Sequence, residues 1–382
     1  MNGRLLLSCG EPSGDLYAGA LTRELRALVP GLTIAGLGGP QFAAAGGLLL
    51  EDYRGLAVTG LTEVLPKLSK LAATRRRLVA WARAQRPDAL VVIDFPDFNL
   101  FLARAIRRLG IPVIYYVSPQ IWAWRSGRLK TIRHVARRVL VIFPFEEAIY
   151  REGGVPVEFV GHPLVELIPP VPPRAEFLTG LGLDPSARTL AVLPGSRPNE
   201  VAHILPDLVE ASRIVSSRLS GTQVIVARAP NLDDHLFGDA LGRGDLPLAV
   251  VEGQNDAVLA SADLALTASG TATVQAALHG TPMVVVYRLS PMTYRLGRRF
   301  VKVDTFAMVN LIAGERIVPE LIQEAFTPEA VAAEAIEMAT DPIRLETVRQ
   351  GLRCVRERLG GPGASRRAAE AIVQALEPQK GT

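Results

Sequence analysis

The first strand and helix of the chain are predicted from the stretch Leu5-Leu6-Leu7-Ser8-Cys9-Gly10-Glu11-Pro12-Ser13-Gly14-Asp15. An apolar run leads into a loop with two glycines and then into an amphipathic segment, which is the first half of a βαβ unit. The glycines permit a tight turn, and Ser13 can cap the helix and leave backbone N–H groups pointing at an anion. A plain capped turn explains the same residues equally well, so both interpretations stay open here.

The same alternation continues along the rest of the chain. Apolar runs of strand length are separated by segments of helical period, which predicts parallel strands joined by helices. The proline-rich segment Ile168–Pro173 interrupts the pattern and predicts a stiff linker. The predicted strands are Leu5–Ser8, Thr33–Gly36, Ala89–Asp94, Val113–Val117, Val139–Ile142 and Val157–Val160, and after the linker Leu190–Leu193, Gln223–Ala227, Leu248–Val251, Leu264–Thr267 and Met283–Tyr287.

The predicted fold class is α/β, with two Rossmann-like doubly wound domains and a helical C-terminal tail. The expected divisions are a domain over residues 1–165, a linker over 166–188, a second domain over 189–340, and helices over 341–382 that could cross back to the first domain. Ligands of such sheets bind beyond the carboxyl ends of the strands. Two domains facing each other would place the site in a cleft between them.

Composition and charge narrow the class of protein. The 382 residues are 48% hydrophobic and 21% charged, which is typical of globular domains. The chain has two cysteines, no apolar run long enough to span a membrane, and a first apolar run too short for a signal peptide. These features favour a cytoplasmic protein. The net charge of +4 combines a basic half, +8 over residues 1–160, with an acidic remainder of −4. A basic half indicates an anionic partner such as nucleic acid, a phosphorylated substrate or a membrane surface.

Asp94 is the leading candidate for a general base. It ends an apolar strand, where a carboxylate is costly to bury unless it is hydrogen-bonded or used in chemistry. A structural aspartate that holds loop N–H groups is the alternative. Asp97 or Asn99 is expected to cap a helix that begins near Leu100.

Two loops of the second half are suited to a diphosphate. The turn Gly195-Ser196-Arg197 follows a strand, and its guanidinium can form paired hydrogen bonds to phosphoryl oxygens. The turn Ser269-Gly270-Thr271 follows another strand and opens a helix, which provides a second anion site. The five histidines have no metal spacing, and no metal or cofactor is expected.

A cationic, partly apolar segment is predicted near residues 63–86. Its apolar residues include Leu65, Leu68 and Leu71, and three of its cations are the run Arg75-Arg76-Arg77. Such a segment could lie in an anionic membrane interface or clasp acyl chains. An ordinary helix with its cations in water fits the same pattern. Nucleic acid fits less well, because no nucleic-acid-binding module is recognisable.

Taken together, the loop motifs resemble those of lipid-A-disaccharide synthases. The resemblance covers about Leu5 to Gln323, and its most specific part is Ser118-Pro119-Gln120-Ile121-Trp122-Ala123-Trp124. The other motifs are Gly10-Glu11-Pro12-Ser13-Gly14-Asp15, Asp94-Phe95-Pro96-Asp97-Phe98-Asn99, Gly161-His162-Pro163, Leu193-Pro194-Gly195-Ser196-Arg197, Ala268-Ser269-Gly270-Thr271-Ala272 and Asn310-Leu311-Ile312-Ala313-Gly314.

The resemblance implies a metal-independent, inverting glycosyltransferase of the two-domain GT-B arrangement. It would move 2,3-diacylglucosamine from UDP to 2,3-diacylglucosamine 1-phosphate and form a β-1,6-linked disaccharide at the inner-membrane surface. The implied partners are these two substrates and that surface, with no nucleic acid, and a homodimer is compatible with the resemblance. The implied site residues are, as catalytic residues, Asp94 and Asn310; for the UDP donor, Gly195, Ser196, Arg197, Ser269, Gly270, Thr271 and Gln275; and on the acceptor side, Ser13, Gly14, Asp15 and Trp122.

This sequence departs from the family pattern at two places. Gln275 stands where glutamate is common, which removes a charge but keeps a hydrogen-bonding group. Ala307-Met308-Val309 replaces the more usual Ser-Leu-Pro before Asn310, which leaves the backbone before that asparagine less restrained. A UDP-N-acetylglucosamine 2-epimerase or a non-catalytic nucleotide-sugar-binding protein would share the two diphosphate loops, and these remain the alternatives.

Overall fold

A computed structural model describes residues 3–56, 64–119, 126–230, 232–241, 246–288 and 305–376. The chain divides into two compact units: residues 1–166 with 359–382, and residues 167–358. Each unit is built on one parallel sheet with crossover helices, so the predicted α/β class with two parallel-sheet domains is confirmed.

The first unit has a seven-stranded sheet in the order β3-β2-β1-β4-β5-β6-β7. Its strands are β1 (Arg4–Cys9), β2 (Thr33–Gly38), β3 (Leu48–Asp52), β4 (Ala89–Ile93), β5 (Val113–Tyr116), β6 (Arg138–Val141) and β7 (Val157–Phe159). Its helices are α1 (Pro12–Leu28), α2 (Pro40–Ala44), α3 (Val64–Gln85), α4 (Pro96–Arg107), α5 (Ser126–Val135), α6 (Pro144–Glu152) and α7 (Leu164–Leu167). A short 3₁₀ helix, Tyr53–Leu56, follows β3.

The register of the central strands places three loops side by side. Cys9 at the end of β1 pairs with Ile93 of β4, and Ile93 pairs with Tyr116 of β5. Every residue of β4 and β5 is buried, as expected where helices cover both faces of a parallel sheet. The loops that begin at Gly10, Asp94 and Val117 therefore share one edge of the sheet.

The second unit has a six-stranded sheet in the order β10-β9-β8-β11-β12-β13. Its strands are β8 (Arg188–Leu193), β9 (Thr222–Arg228), β10 (Leu248–Glu252), β11 (Leu264–Ala268), β12 (Met283–Tyr287) and β13 (Glu320–Ile322). Its helices are α8 (Arg174–Gly180), α9 (Pro198–Arg218), α10 (His235–Leu241), α11 (Asn255–Ser261), α12 (Thr271–His279), α13 (Met308–Ala313), α14 (Pro328–Thr340) and α15 (Pro342–Arg358). Thr267 of β11 pairs with Leu193 of β8, so the loops after these two strands are neighbours.

Two expectations about boundaries need correction. The region predicted as a bare linker, 166–188, contains helix α8, whose Phe177 and Leu178 are buried, because only Pro169 to Pro173 resist helix formation. The helix expected near Leu100 begins at Pro96, a residue type that suits the first helical turn. Two short strands, β3 and β13, were not predicted at all.

The C-terminal helices belong to different units. Helix α15 is in the second unit, whereas helix α16 (Ala364–Leu376) packs on α1 of the first unit. The Glu166 carboxylate accepts hydrogen bonds from the backbone N–H groups of Gly363 and Ser365 at the start of α16. Arg367 donates to the Val160 carbonyl oxygen at 2.8 Å. These contacts fix α16 as part of the first unit.

Candidate active site

In the first unit, the loop after β1 is shaped by close packing against the loop after β4. A Cβ atom added at Gly10 would lie 2.2 Å from the Phe95 ring, so only glycine fits there. Ser13 does not cap α1 as predicted, because the helix already begins at Pro12 and Glu11 holds the N-cap position. Gly14 is buried against Cys9 and Ile93.

Asp15 is buried, and its carboxylate holds the neighbouring loop. It accepts hydrogen bonds from the backbone N–H groups of Gly39 at 2.7 Å, Gln41 at 2.9 Å and Phe42 at 3.1 Å. These N–H groups belong to the start of α2, so Asp15 acts as a cap supplied from another helix. The structure thus gives Asp15 a structural task, and its predicted contact with an acceptor stays a prediction.

Asp94 lies half-buried at the carboxyl end of β4 in a strained backbone conformation. Its φ is +43°, that of Phe95 is +48°, and that of Val117 after β5 is +57°. Each such non-glycine residue costs about 1–3 kcal/mol, most for a β-branched residue such as Val117, and persists only where the surroundings enforce it. The Asp94 N–H donates to the Val117 carbonyl oxygen at 3.1 Å, which ties the two strained loops together.

Asn99 is fully buried beneath Asp94 and does not cap α4 as predicted. Its Nδ2 donates to the Asp94 carbonyl oxygen at 2.7 Å, and its Oδ1 accepts from the Ser8 hydroxyl at 2.7 Å. The same nitrogen lies 3.2 Å from the Ile93 carbonyl oxygen. Asp97, the other proposed cap, is exposed and pairs with Arg128.

Buried aromatic residues and a histidine surround this edge. Burial, followed by the charge of Asp94, raises the pKa of both Tyr17 and Tyr115, so both phenols stay protonated. Burial lowers the pKa of His162 to about 3. Its Nδ1 accepts a hydrogen bond from the Leu164 N–H at 3.2 Å, and its ring packs against Phe143 and Tyr17. A neutral, fully buried imidazole of this kind is a structural group.

Sequence reasoning missed a buried carboxylate at the same edge. Glu146 in the first turn of α6 is 1% exposed, and it accepts a hydrogen bond from the Ser118 hydroxyl at 3.0 Å. The signal in the sequence was weak, because an acidic residue near a helix start is ordinary. Trp122, the predicted acceptor-side aromatic, lies outside the described residues.

In the second unit, the loop after β8 presents an exposed cation. Gly195 has a φ of +115°, and Arg197 occupies the N-cap position of α9 with its side chain 65% exposed. Its guanidinium lies 3.4 Å from the Glu200 carboxylate. The pKa of Tyr287 is raised by burial and by Glu200 and lowered by Arg197, which places this phenol beside the pair. Glu200 and Tyr287 are residues that the sequence analysis did not single out.

The loop after β11 opens helix α12 without a side-chain cap. Gly270 is the N-cap residue, and the hydroxyl of Ser269 donates to the Phe306 carbonyl oxygen at 3.4 Å. Thr271 is the first helical residue and is exposed. Uncapped N–H groups at this helix start suit an anion, and their predicted contact with the UDP donor stays a prediction.

Gln275 and Asn310 are both engaged within the second unit. The Gln275 Nε2 lies 3.3 Å and 3.4 Å from the Asp256 carboxylate oxygens, and His279 contacts the same carboxylate. Buried Asn310 accepts from the N–H groups of residues 317 and 318, and its Nδ2 donates to the Val318 carbonyl oxygen and the Glu320 carboxylate. The side-chain amide of Asn310 therefore uses all its hydrogen-bonding capacity within the second unit, and its predicted catalytic role stays a prediction.

The predicted cationic segment lies on α3. The side chains of Leu65 and Leu68 are outside the described residues, and Leu71 packs partly buried against the core. Arg76 and Arg77 are exposed and Arg75 is half-buried, and Arg77 pairs with Glu51 on β3. Among the described helices, none is long and apolar enough to cross a membrane. The described residues also contain no group of three or more His, Cys, Asp or Glu that could hold a metal ion.

Solved structures with the same fold include nucleotide-sugar enzymes. UDP-GlcNAc 2-epimerase from Neisseria meningitidis, bound to UDP-GlcNAc, has a TM-score of 0.70 at 10% identity, covering 97% of this chain and 100% of that chain. The calicheamicin glycosyltransferase CalG4 has a TM-score of 0.60 at 18% identity, covering 98% and 99%. These identities define the fold class alone, so the epimerase likeness does not favour the epimerase alternative.

Sequence comparison identifies the family within that class. The family model described as lipid-A-disaccharide synthetase matches residues 5–375. The lipid-A-disaccharide synthase of Myxococcus xanthus (strain DK1622) is 45% identical over 376 residues, and that of Geobacter metallireducens (strain ATCC 53774 / DSM 7210 / GS-15) is 42% identical over 378, each covering 98% of both chains. The chain belongs to the lipid-A-disaccharide synthase family of glycosyltransferases, and the predicted family is confirmed.

Proposed function

We propose that this chain transfers 2,3-diacylglucosamine from UDP to the 6-hydroxyl of 2,3-diacylglucosamine 1-phosphate. Membership of the lipid-A-disaccharide synthase family supports the substrates and the reaction. The structural observation that carries the mechanism is Asp94, a half-buried carboxylate held in a strained conformation at the carboxyl edge of the first sheet. Strain of this kind is concentrated at functional sites.

The reaction is a single displacement with inversion. Asp94 accepts the proton of the acceptor hydroxyl, whose oxygen attacks the anomeric carbon of the donor sugar while the bond to UDP breaks. Arg197 and the N–H groups at the start of α12 stabilise the negative charge that develops on the departing diphosphate. Because this cation and these backbone dipoles can carry that charge, we propose that the transfer needs no metal.

Product analysis by mass spectrometry tests the reaction. The purified protein with UDP-2,3-diacylglucosamine and 2,3-diacylglucosamine 1-phosphate is expected to release UDP and one disaccharide 1-phosphate, also in the presence of a chelator. The matched control omits the acceptor, and UDP-N-acetylglucosamine alone tests the epimerase alternative. Conversion of UDP-N-acetylglucosamine without an acceptor, with no disaccharide formed, would reject the transferase.

We further propose that α3 contacts the anionic inner-membrane surface through Arg75 and Arg76. Arg76 is exposed, Arg75 is half-buried, and each cation near such a surface contributes about 1 kcal/mol of attraction. Replacing both with serine is expected to lower sedimentation with anionic vesicles and to leave binding to neutral vesicles unchanged. Arg77→Ser is the control, because Arg77 is already paired with Glu51. An unchanged bound fraction for the double variant would exclude this surface.

A further inference from the structure

The backbone N–H and the carbonyl oxygen of Asp94 are both hydrogen-bonded to other residues of the first unit. The Asp94 N–H donates to the Val117 carbonyl oxygen at 3.1 Å. The Asp94 carbonyl oxygen accepts two side-chain hydrogen bonds, from Asn99 Nδ2 at 2.7 Å and from the Tyr115 hydroxyl at 3.1 Å. Asn99 and Tyr115 are both fully buried, so neither donor can turn to water.

The position of Asn99 is itself fixed by two strands. Its Oδ1 accepts from the Ser8 hydroxyl of β1, and its Nδ2 lies within 3.3 Å of the Ser8 and Ile93 carbonyl oxygens. The side chain thus joins the ends of β1 and β4 directly beneath the loop. Loss of the amide would take a hydrogen-bond donor from the carbonyl oxygens of Ser8, Ile93 and Asp94 at once.

This bonding enforces a conformation that Asp94 would not adopt alone. Only Asp94 and Phe95 separate β4 from α4, and both have positive φ angles. An L-residue in the left-handed region directs its Cβ differently from one in an extended strand, so the backbone determines where the Asp94 carboxylate points. Free of its partners, this backbone would relax towards the extended region.

We propose that Asn99 and Tyr115 are positioning residues that hold the backbone of Asp94, and through it the direction of the catalytic carboxylate. This inference rests on the proposed function, in which Asp94 is the general base. Neither side chain needs to touch the substrate. Their loss should therefore lower turnover while the binding of the UDP donor in the second unit is kept.

A double-mutant cycle with Asp94 tests the proposal. Asn99→Asp keeps the side-chain size but removes the amide donor, and it is expected to lower kcat about tenfold to a hundredfold with an unchanged donor KM. Tyr115→Phe removes one hydroxyl and is expected to lower kcat about fivefold, which provides a milder variant if Asn99→Asp folds poorly. Asp97→Asn, an exposed change on the same helix, is the control.

The decisive comparison is made in the Asp94→Ala background. There, Tyr115→Phe and Asn99→Asp are expected to cause no further loss of turnover, because the group that they position is absent. Equal losses with and without Asp94 would show a general structural role and overturn the proposal while leaving Asp94 as the base. Full turnover of Tyr115→Phe and Asn99→Asp in the native background would also overturn it. Full turnover of Asp94→Ala itself would instead reject the proposed base and, with it, its positioning residues.

Discussion

The carboxyl edges of the two sheets are built in opposite ways. In the first unit, Asp94 sits on a strained backbone that buried Asn99 and Tyr115 hold from below. In the second unit, each of the two anion loops contains a glycine, and Arg197 is 65% exposed beside Glu200. The first edge is preorganised at a cost in folding energy, whereas the second leaves a long cation that can rearrange around a diphosphate. The carboxylate of a general base must be oriented towards one hydroxyl, whereas a cation that binds a diphosphate can do so in several side-chain conformations.

The largest effect should follow from removing the base at the rigid edge. Asp94→Asn keeps the size of the side chain and its backbone contacts but cannot accept the proton, so kcat is expected to fall about 10²- to 10⁴-fold. UDP affinity, measured by calorimetry, should stay within about twofold. A turnover that remains near that of the parent protein would mean that the strained loop has only a structural purpose.

Removing the cation at the exposed edge should affect binding first. Arg197→Ala is expected to weaken UDP binding about tenfold to a hundredfold, because charge-assisted hydrogen bonds to the diphosphate are lost. Calorimetry with UDP measures the change. Arg213→Ala is a matched control on the same helix, since Arg213 also pairs with a glutamate three residues away. Equal effects of the two variants would contradict the assignment of Arg197 to the diphosphate.

The two edges also differ in how far sequence predicts them. Strand order and register were not predictable from the apolar runs. The shared edge of the loops after β1 and β4, and of those after β8 and β11, was predictable, because the carboxyl ends of parallel strands meet at one edge of a sheet. Asn99 was not, because a helix-cap pattern explained it locally, while its actual partner Ser8 lies 91 residues away. The strand β3 has three leucines followed by two acidic residues, and β13 has only two apolar residues, so neither contains an apolar run of strand length. The sequence thus predicts which residue types occupy each loop, but it does not predict hydrogen bonds between side chains that are far apart in the sequence.

The rigid edge should also make the first unit sensitive to acid. Because burial lowers the pKa of His162 to about 3, the folded state binds fewer protons than the unfolded state between about pH 3 and 6.5. Acidification from pH 7.5 to 5 should therefore remove about 2 kcal/mol of stability through this residue. His162→Asn, whose oxygen can still accept from the Leu164 N–H, should lose correspondingly less.

Urea unfolding followed by tryptophan fluorescence measures the stability of the first unit, which contains His162. All three tryptophans, Trp81, Trp122 and Trp124, fall in the part of the sequence assigned to the first unit. The parent protein and the variant should differ in the slope of stability against pH below pH 6.5. Parallel slopes would show that His162 does not contribute to the acid sensitivity.

The smallest effect is expected at Gln275, on the adaptable edge. Its half-buried amide contacts the Asp256 carboxylate. A hydrogen bond from this neutral amide to an uncharged group of the donor would contribute about 0.5–1 kcal/mol, so Gln275→Ala should raise the donor KM only about twofold to fivefold and leave kcat unchanged. His279→Ala is the matched control, because His279 contacts the same Asp256 carboxylate. Equal effects would mean that both residues act by orienting Asp256. An effect confined to Gln275→Ala would mean that the Gln275 amide contacts the donor directly. A fall in kcat of more than tenfold would show that catalysis depends on exact side-chain positions at the second edge as much as at the first.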